Sequence, residues 1–300
     1  MSCLNRKYWV TSIASMALCA LVGCGGVDLP GPVANAESAR TIRDAMKAGG
    51  ESGATDAAAV STGTGWATLR GRFVFGGTPP QRQPYNVTRD AHFCTEGGRP
   101  PLQETLVVQD GSNGIKNVAV YLRRASRVHE SLQTDAAPLA LDQKTCVFLP
   151  HLFLAQVGRE VHFKNSDPEG HNTKFGSFNE IIPNGATKVY THTTELAMPI
   201  QVSCSIHPWM TAWFLARSNP YAVSTNDDGT FELANLPAGE ELEFQVWHES
   251  ASGTSGLVIP PTPETKALNW STRGRFKIKL NPDEVKEIQL TVPPSAFKGV

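Results

Sequence analysis

The run Ile200-Gln201-Val202-Ser203-Cys204-Ser205-Ile206-His207-Pro208-Trp209-Met210-Thr211-Ala212-Trp213-Phe214-Leu215-Ala216 reads as two β-strands joined by a loop. Apolar and polar residues alternate over Ile200–Ser203, the pattern of a strand with one buried face, and Ala212–Ala216 resumes it. The loop crowds three side chains of one chemical kind. A cysteine thiolate and an imidazole bind transition metals strongly, and a thioether is a soft ligand that suits copper better than zinc. Cys204 closes the first strand, so the loop must turn back for His207 and Met210 to face the same point. Pro208 favours that turn by holding His207 in an extended backbone and removing one competing donor.

Working outward, the same strand grammar recurs. Short alternating segments lie at Thr68–Phe75, Thr105–Gln109, Val118–Leu122, Leu152–Val157, Glu160–Lys164, Lys188–His192, Thr230–Leu233, Glu241–Trp247, Arg275–Leu280 and Glu287–Val292. Turn residues separate them, in keeping with 26 Gly and 21 Pro in 300 residues. No amphipathic helix of useful length interrupts the series, so the expected class is all-β, as one or two sandwiches. A trigonal copper site needs a second histidine. His171 is the obvious donor, on the polar turn Asn165-Ser166-Asp167-Pro168-Glu169-Gly170-His171-Asn172 after the strand Glu160–Lys164. The other histidines, His92, His129, His151, His162, His192 and His248, have no partner at ligand spacing and are expected at the surface or in the core.

The C-x2-H-x2-M loop with an upstream His-Asn resembles the cupredoxins, particularly those with a short ligand loop, over roughly residues 140–218. The resemblance implies a Greek-key β-sandwich holding one type 1 copper on His171, Cys204, His207 and Met210. It also implies that Asn172 and Ser205 tie the two ligand loops together by hydrogen bonds. His207 would be the exposed ligand, with Pro208, Trp209 and Trp213 forming an apolar rim where an unidentified redox partner docks. The segment between His171 and Cys204 carries no recognisable docking signature. Two rival interpretations use the same residues: copper trafficking, and a cell-surface β-sandwich protein in which the ligand set is vestigial.

The N-terminus reads as an export signal. Arg6 and Lys7 precede an apolar run from Tyr8 to Val22, too short to span a bilayer comfortably and ordered like a secretory signal. Leu21-Val22-Gly23-Cys24 resembles the lipobox of bacterial lipoproteins, which implies cleavage before Cys24 and lipidation of its thiol. The expected result is an envelope protein anchored by lipid. Residues 24–65, rich in Ala, Gly, Ser and Thr, read as a flexible tether with one short helix near Glu37–Lys47. Of the six cysteines, Cys3 and Cys19 leave with residues 1–23. Cys94 and Cys146 are then unassigned, and in an oxidising compartment a disulfide is the simplest use for them. A second metal site using Cys146 and His151 is the alternative, though it lacks a third ligand.

The C-terminal part, residues 219–300, carries Thr225-Asn226-Asp227-Asp228-Gly229-Thr230-Phe231 followed by Leu236-Pro237-Ala238-Gly239. Asp228-Gly229 is a positive-φ turn signal expected to close a hairpin, and Pro237 with Gly239 turns the chain into the next strand. The pattern resembles the carboxypeptidase-regulatory-like β-sandwich. In that family Thr68–Phe75 and Lys116–Leu122 would be the opening strands, so the copper module would be inserted into this second, smaller sandwich. Residues 66–139 would then belong at least partly to it. Net charge is −1 with no basic run, which disfavours a nucleic-acid surface. No nucleophile–base pair, phosphate loop or HExxH motif is present, and the chain is expected not to be an enzyme.

Overall fold

The computed structural model describes residues 63–133 and 138–300. The leader 1–23, Cys24, the Glu37–Lys47 helix and the tether up to residue 62 lie outside the described residues. In chain order the strands are β1 (Trp66–Phe75), β2 (Ala119–Leu122), β3 (Leu139–Lys144), β4 (Val147–Leu149), β5 (Leu152–Gln156), β6 (Glu160–Asn165), β7 (His171–Phe175) and β8 (Phe178–Ile182). They continue with β9 (Thr187–Thr191), β10 (Ile200–Ser203), β11 (Thr211–Arg217), β12 (Ala222–Ser224), β13 (Thr230–Pro237), β14 (Glu241–Trp247), β15 (Arg275–Lys279) and β16 (Val285–Val292). Two short helices, α1 (Ala91–Cys94) and α2 (Pro263–Ala267), complete the described elements longer than a single 3₁₀ turn. The chain is all-β, as the sequence predicts. Among the described residues no helix is long and apolar enough to cross a membrane.

β3 to β11 build one sandwich from two facing sheets, ordered β5-β11-β10-β7-β8 and β4-β3-β6-β9. Alternation drives the pairing of faces: in β6 Val161, Phe163 and Asn165 point inward while Glu160 and Lys164 stay exposed. Phe163 is the hub of the core, its ring 5.0 to 5.8 Å from those of Phe175, Phe178 and Tyr190. The second sandwich pairs sheet β13-β1-β16 with sheet β12-β2-β14-β15. β1 turns Ala67, Leu69, Gly71, Phe73 and Phe75 inward, runs antiparallel to β13 and parallel to β16, and packs over Val120, Leu122, Phe244 and Phe276. Because β3 to β11 fall between β2 and β12, the first sandwich interrupts the chain of the second.

The two meet along a buried strip of Ala119, Tyr121, Leu152, Leu215 and Trp247. Arg217 staples the junction, donating to the carbonyls of Leu196 and Arg123 at 2.8 Å each and lying 4.9 Å above the Tyr121 ring. His151, 3% exposed, sits between Glu104 and Glu249, which belong to different parts of the chain.

Several local expectations are corrected. Thr105–Gln109 forms no strand and contributes only a single bridge from Val108 to Ile115. His171 opens β7 rather than sitting on a turn. β3, β4, β7, β8 and β12 add to the segments marked by alternation; β7 carries Asn, Thr and Lys and β8 carries Asn and Glu where apolar residues would reveal a strand. Gly229 does adopt φ +81°, and the Asn226 N–H donates to the Thr230 carbonyl at 2.9 Å. Its flanking strands β12 and β13 belong to different sheets, however, so the turn crosses the sandwich instead of closing a two-stranded hairpin.

Candidate metal centre

The β10–β11 hairpin carries the centre. Ser203 pairs with Thr211 across it, and the loop between is pinched shut by Cys204 N–H donating to the Met210 carbonyl at 3.2 Å and Met210 N–H to the His207 carbonyl at 2.9 Å. Ser203 also bridges to Lys174 of β7, which sets the first residue of that strand, His171, beside Cys204. The donor atoms of His171, Cys204 and His207 lie within 4.8 Å of one another, and the three residues are at most 3% exposed. Met210 is 1% exposed and belongs to the same buried cluster as Cys204. Asn172 knits the two segments: its N–H donates to Cys204 Sγ at 3.3 Å, and its Oδ1 accepts the Ser205 N–H at 3.1 Å. The His207 N–H gives Cys204 Sγ a second donor at 3.4 Å.

Two carboxylates orient the imidazoles. His171 Nε2–H donates to Asp167 at 2.8 Å and His207 Nε2–H donates to Asp90 at 2.9 Å. With both Nε2 atoms spoken for, the Nδ1 atoms turn toward each other, 2.9 Å apart, and Cys204 Sγ lies 3.9 Å from that of His207. A sulfur and two ring nitrogens converging in one dry spot favour a positive charge among them, a proton on His171 or a metal ion in its place. The electrostatics agree. Burial opposes charging His171, but hydrogen bonds and negative charge from Asp167 and Cys204 outweigh it and raise its pKa to about 9. Burial pushes the Cys204 thiol up, yet the His171 hydrogen bond and the backbone N–H groups of Asn172, His207 and Ile206 bring it below its ordinary value. His207 is lowered by burial, with Asp90 opposing and His171 reinforcing that shift.

Asp167 is 2% exposed and does more than orient His171. It also accepts the backbone N–H groups of Thr145 and Cys146, at 2.6 and 2.8 Å, in the β3–β4 turn where both residues have φ +55°. Cys146 is joined to Cys94 by a disulfide, and its carbonyl accepts the Trp209 indole N–H at 3.2 Å. The disulfide therefore sits on the wall of the centre.

The structure revises the picture of an exposed ligand. His207 is fully buried, because residues 81–103 cross over it and bring Asp90 to its outer nitrogen. Trp209 is 7% exposed, and Trp213 faces the opposite way: it follows Ala212 in β11, so it projects from the outer face of its sandwich onto Trp247, 4.8 Å between ring centres. Of the expected rim only Pro208 is exposed. Asp90 and Cys94 carry no sequence signal for this role, since they lie more than a hundred residues from the loop they cover. Asp167, four residues before His171, is the one supporting residue that proximity could have suggested.

No protein-family model matches the chain, and no curated protein matches it. Parts of the chain do resemble solved structures of copper proteins. Amicyanin from Paracoccus versutus is 15% identical over 33% of this chain and 97% of its own, with a TM-score of 0.25. A purple cupredoxin from Nitrosopumilus maritimus is 18% identical over 26% of this chain and 98% of its own, with a TM-score of 0.24. The copper-containing nitrite reductase of Thermus scotoductus is 20% identical over 28% of this chain, with a TM-score of 0.25, and this chain spans only 23% of its length. The donor set itself fits copper: two imidazole nitrogens, whose ring proton a metal would displace, converge with a thiolate of lowered pKa in a dry pocket, each histidine backed by a carboxylate, and Met210 is buried in the same cluster.

Proposed function

We propose that the chain is an exported, lipid-anchored protein of the bacterial cell envelope that carries single electrons on one type 1 copper. His171, Cys204 and His207 would hold the metal, with Met210 as a weaker fourth ligand. The observation that carries this reading is the pair of Nδ1 atoms 2.9 Å apart beside the Cys204 sulfur, each imidazole fixed from behind by a carboxylate. When bound, copper supplies a one-electron couple. The residues supply rigidity and dryness. Asp167 and Asp90 keep both rings from rotating, Asn172 and the His207 N–H hold the sulfur, and the closed loop excludes water. A site that cannot relax between oxidation states suits electron transfer, because little rearrangement accompanies each step.

The same burial argues for a carrier rather than an enzyme, since no substrate reaches ligands that are at most 3% exposed. The Arg6–Cys24 segment supports export and anchoring at Cys24. The redox partner would meet the covered end of the sandwich rather than a bare histidine. Voltammetry of the copper-loaded protein tests this function. A reversible one-electron wave at one copper per chain is expected. Tight Cu(I) binding without such a wave would replace it with copper trafficking, and failure to retain copper would leave a structural β-sandwich protein.

A further inference from the structure

Residues 81–103 form a strap that belongs to neither sandwich by its backbone hydrogen bonding. Among the described residues its backbone hydrogen bonds close within itself: Tyr85 N–H to Pro101 O and Gln103 N–H to Gln83 O at 2.8 Å each, Arg99 N–H to Glu96 O at 3.1 Å, and those of α1. Arg82 adds two bonds to the strap's own carbonyls, Gln103 at 2.8 Å and Leu102 at 2.9 Å. The strap reaches the first sandwich through side chains only. Tyr85, Val87 and Phe93 rest half-buried on the core, Cys94 is bonded to Cys146, and Asp90 accepts from His207 at 2.9 Å. A segment with so few contacts would open readily on its own. It is held over the metal centre by a covalent bond whose sulfurs, with the His207 nitrogen, lie within 4.8 Å of one another.

We infer that the strap is a covalently locked cover of the metal centre and that Asp90 is the positioning residue that fixes the His207 ring with Nδ1 facing inward. This rests on the copper reading of the same site and adds how the site is closed. Both disulfide cysteines are fully buried, so the lock is shielded from thiols in solution while the protein is folded. The consequence is kinetic: the metal and the Cys204 sulfur exchange slowly with anything in solution, while an electron still passes through the thin cover. Asp90 itself stays 30% exposed, at the surface where a partner would approach.

The test uses the full chain and two readouts. In metal-free protein, alkylation of Cys204 by iodoacetamide should be at least tenfold faster in Cys94→Ser/Cys146→Ser than in wild type, and at least threefold faster in Asp90→Ala. Asp90→Asn, whose amide oxygen still accepts from Nε2–H, should return most of the way to the wild-type rate. In copper-loaded protein, transfer of Cu(I) to bathocuproine should accelerate in the same order. A folded double variant, judged by its circular dichroism, that reacts at the wild-type rate would overturn the cover. Asp90→Ala at the wild-type rate, or Asp90→Asn no slower than Asp90→Ala, would overturn the role of Asp90, and these variants decide the matter if the double variant does not fold. The alkylation arm needs no copper, so a chain that binds no copper yet shows these accelerations would refute the copper reading and leave the cover standing.

Discussion

Asp167 is the residue on which the centre and its surroundings both depend. A carboxylate at 2% exposure is costly unless every oxygen is engaged, and here two backbone N–H groups and an imidazole engage it. Asp167→Asn replaces one acceptor oxygen by an amine facing donors. It should cost about 2–3 kcal/mol in stability and weaken metal binding about 10–100-fold. Urea denaturation and competition with a copper chelator measure the two effects, and an unchanged urea midpoint would show that the turn does not need the carboxylate. Gly229 is the comparable case in the second sandwich. Its φ is +81°, and a Cβ there would stand 2.3 Å from the Phe73 carbonyl oxygen. Gly229→Ala is expected to lose about 2 kcal/mol or more, with a melting curve as the check.

Among elements, β6 and the β10–β11 hairpin carry the first sandwich. Phe163 of β6 is fully buried amid three aromatic rings, and Phe163→Ala should destabilise by about 3–5 kcal/mol. A loss below about 1 kcal/mol in urea denaturation would mean the core collapses around the missing ring. The hairpin was legible in the sequence because its strands alternate and its three ligand-type residues fall within one loop. Long strands such as β1, β13 and β14 were legible for the same reason. β7 and β8 were not, since β7 buries the polar His171, Asn172 and Thr173, and β8 carries Asn179 and Glu180 in the Asn172 network, where apolar alternation would reveal a strand. The strap was legible only through the expected Cys94–Cys146 disulfide, and its polar tie was not. Its tie to the centre joins Asp90 to His207 across 117 positions, and nothing local announces such a contact.

At the scale of the whole molecule, the junction between sandwiches holds two histidines with opposite tendencies. Burial works against charging His151, but Glu104 and Glu249 on its two sides outweigh it and raise its pKa to about 9. His248 is 1% exposed, accepts the Ser250 N–H on Nδ1, and is pushed by burial down to about 4, with Glu249 opposing and His151 reinforcing. The signs follow from linkage. The His151 contribution, of order 3 kcal/mol, is fully present below its unfolded value of 6.5 and is lost as pH rises through about 9. His248 stabilises above 6.5 and loses that contribution as pH falls through about 4. Stability is therefore expected to peak near neutral pH and fall on both sides. His151→Gln should flatten the alkaline limb in urea titrations, and an alkaline limb unchanged by that substitution would contradict the assignment. Cu(II) titration of the full chain, followed by visible absorption, bears most directly on the function. An intense thiolate-to-copper band should grow to an endpoint of one copper per chain and vanish in Cys204→Ser. A colourless titration, or a band that survives Cys204→Ser, would contradict copper binding by His171, Cys204 and His207.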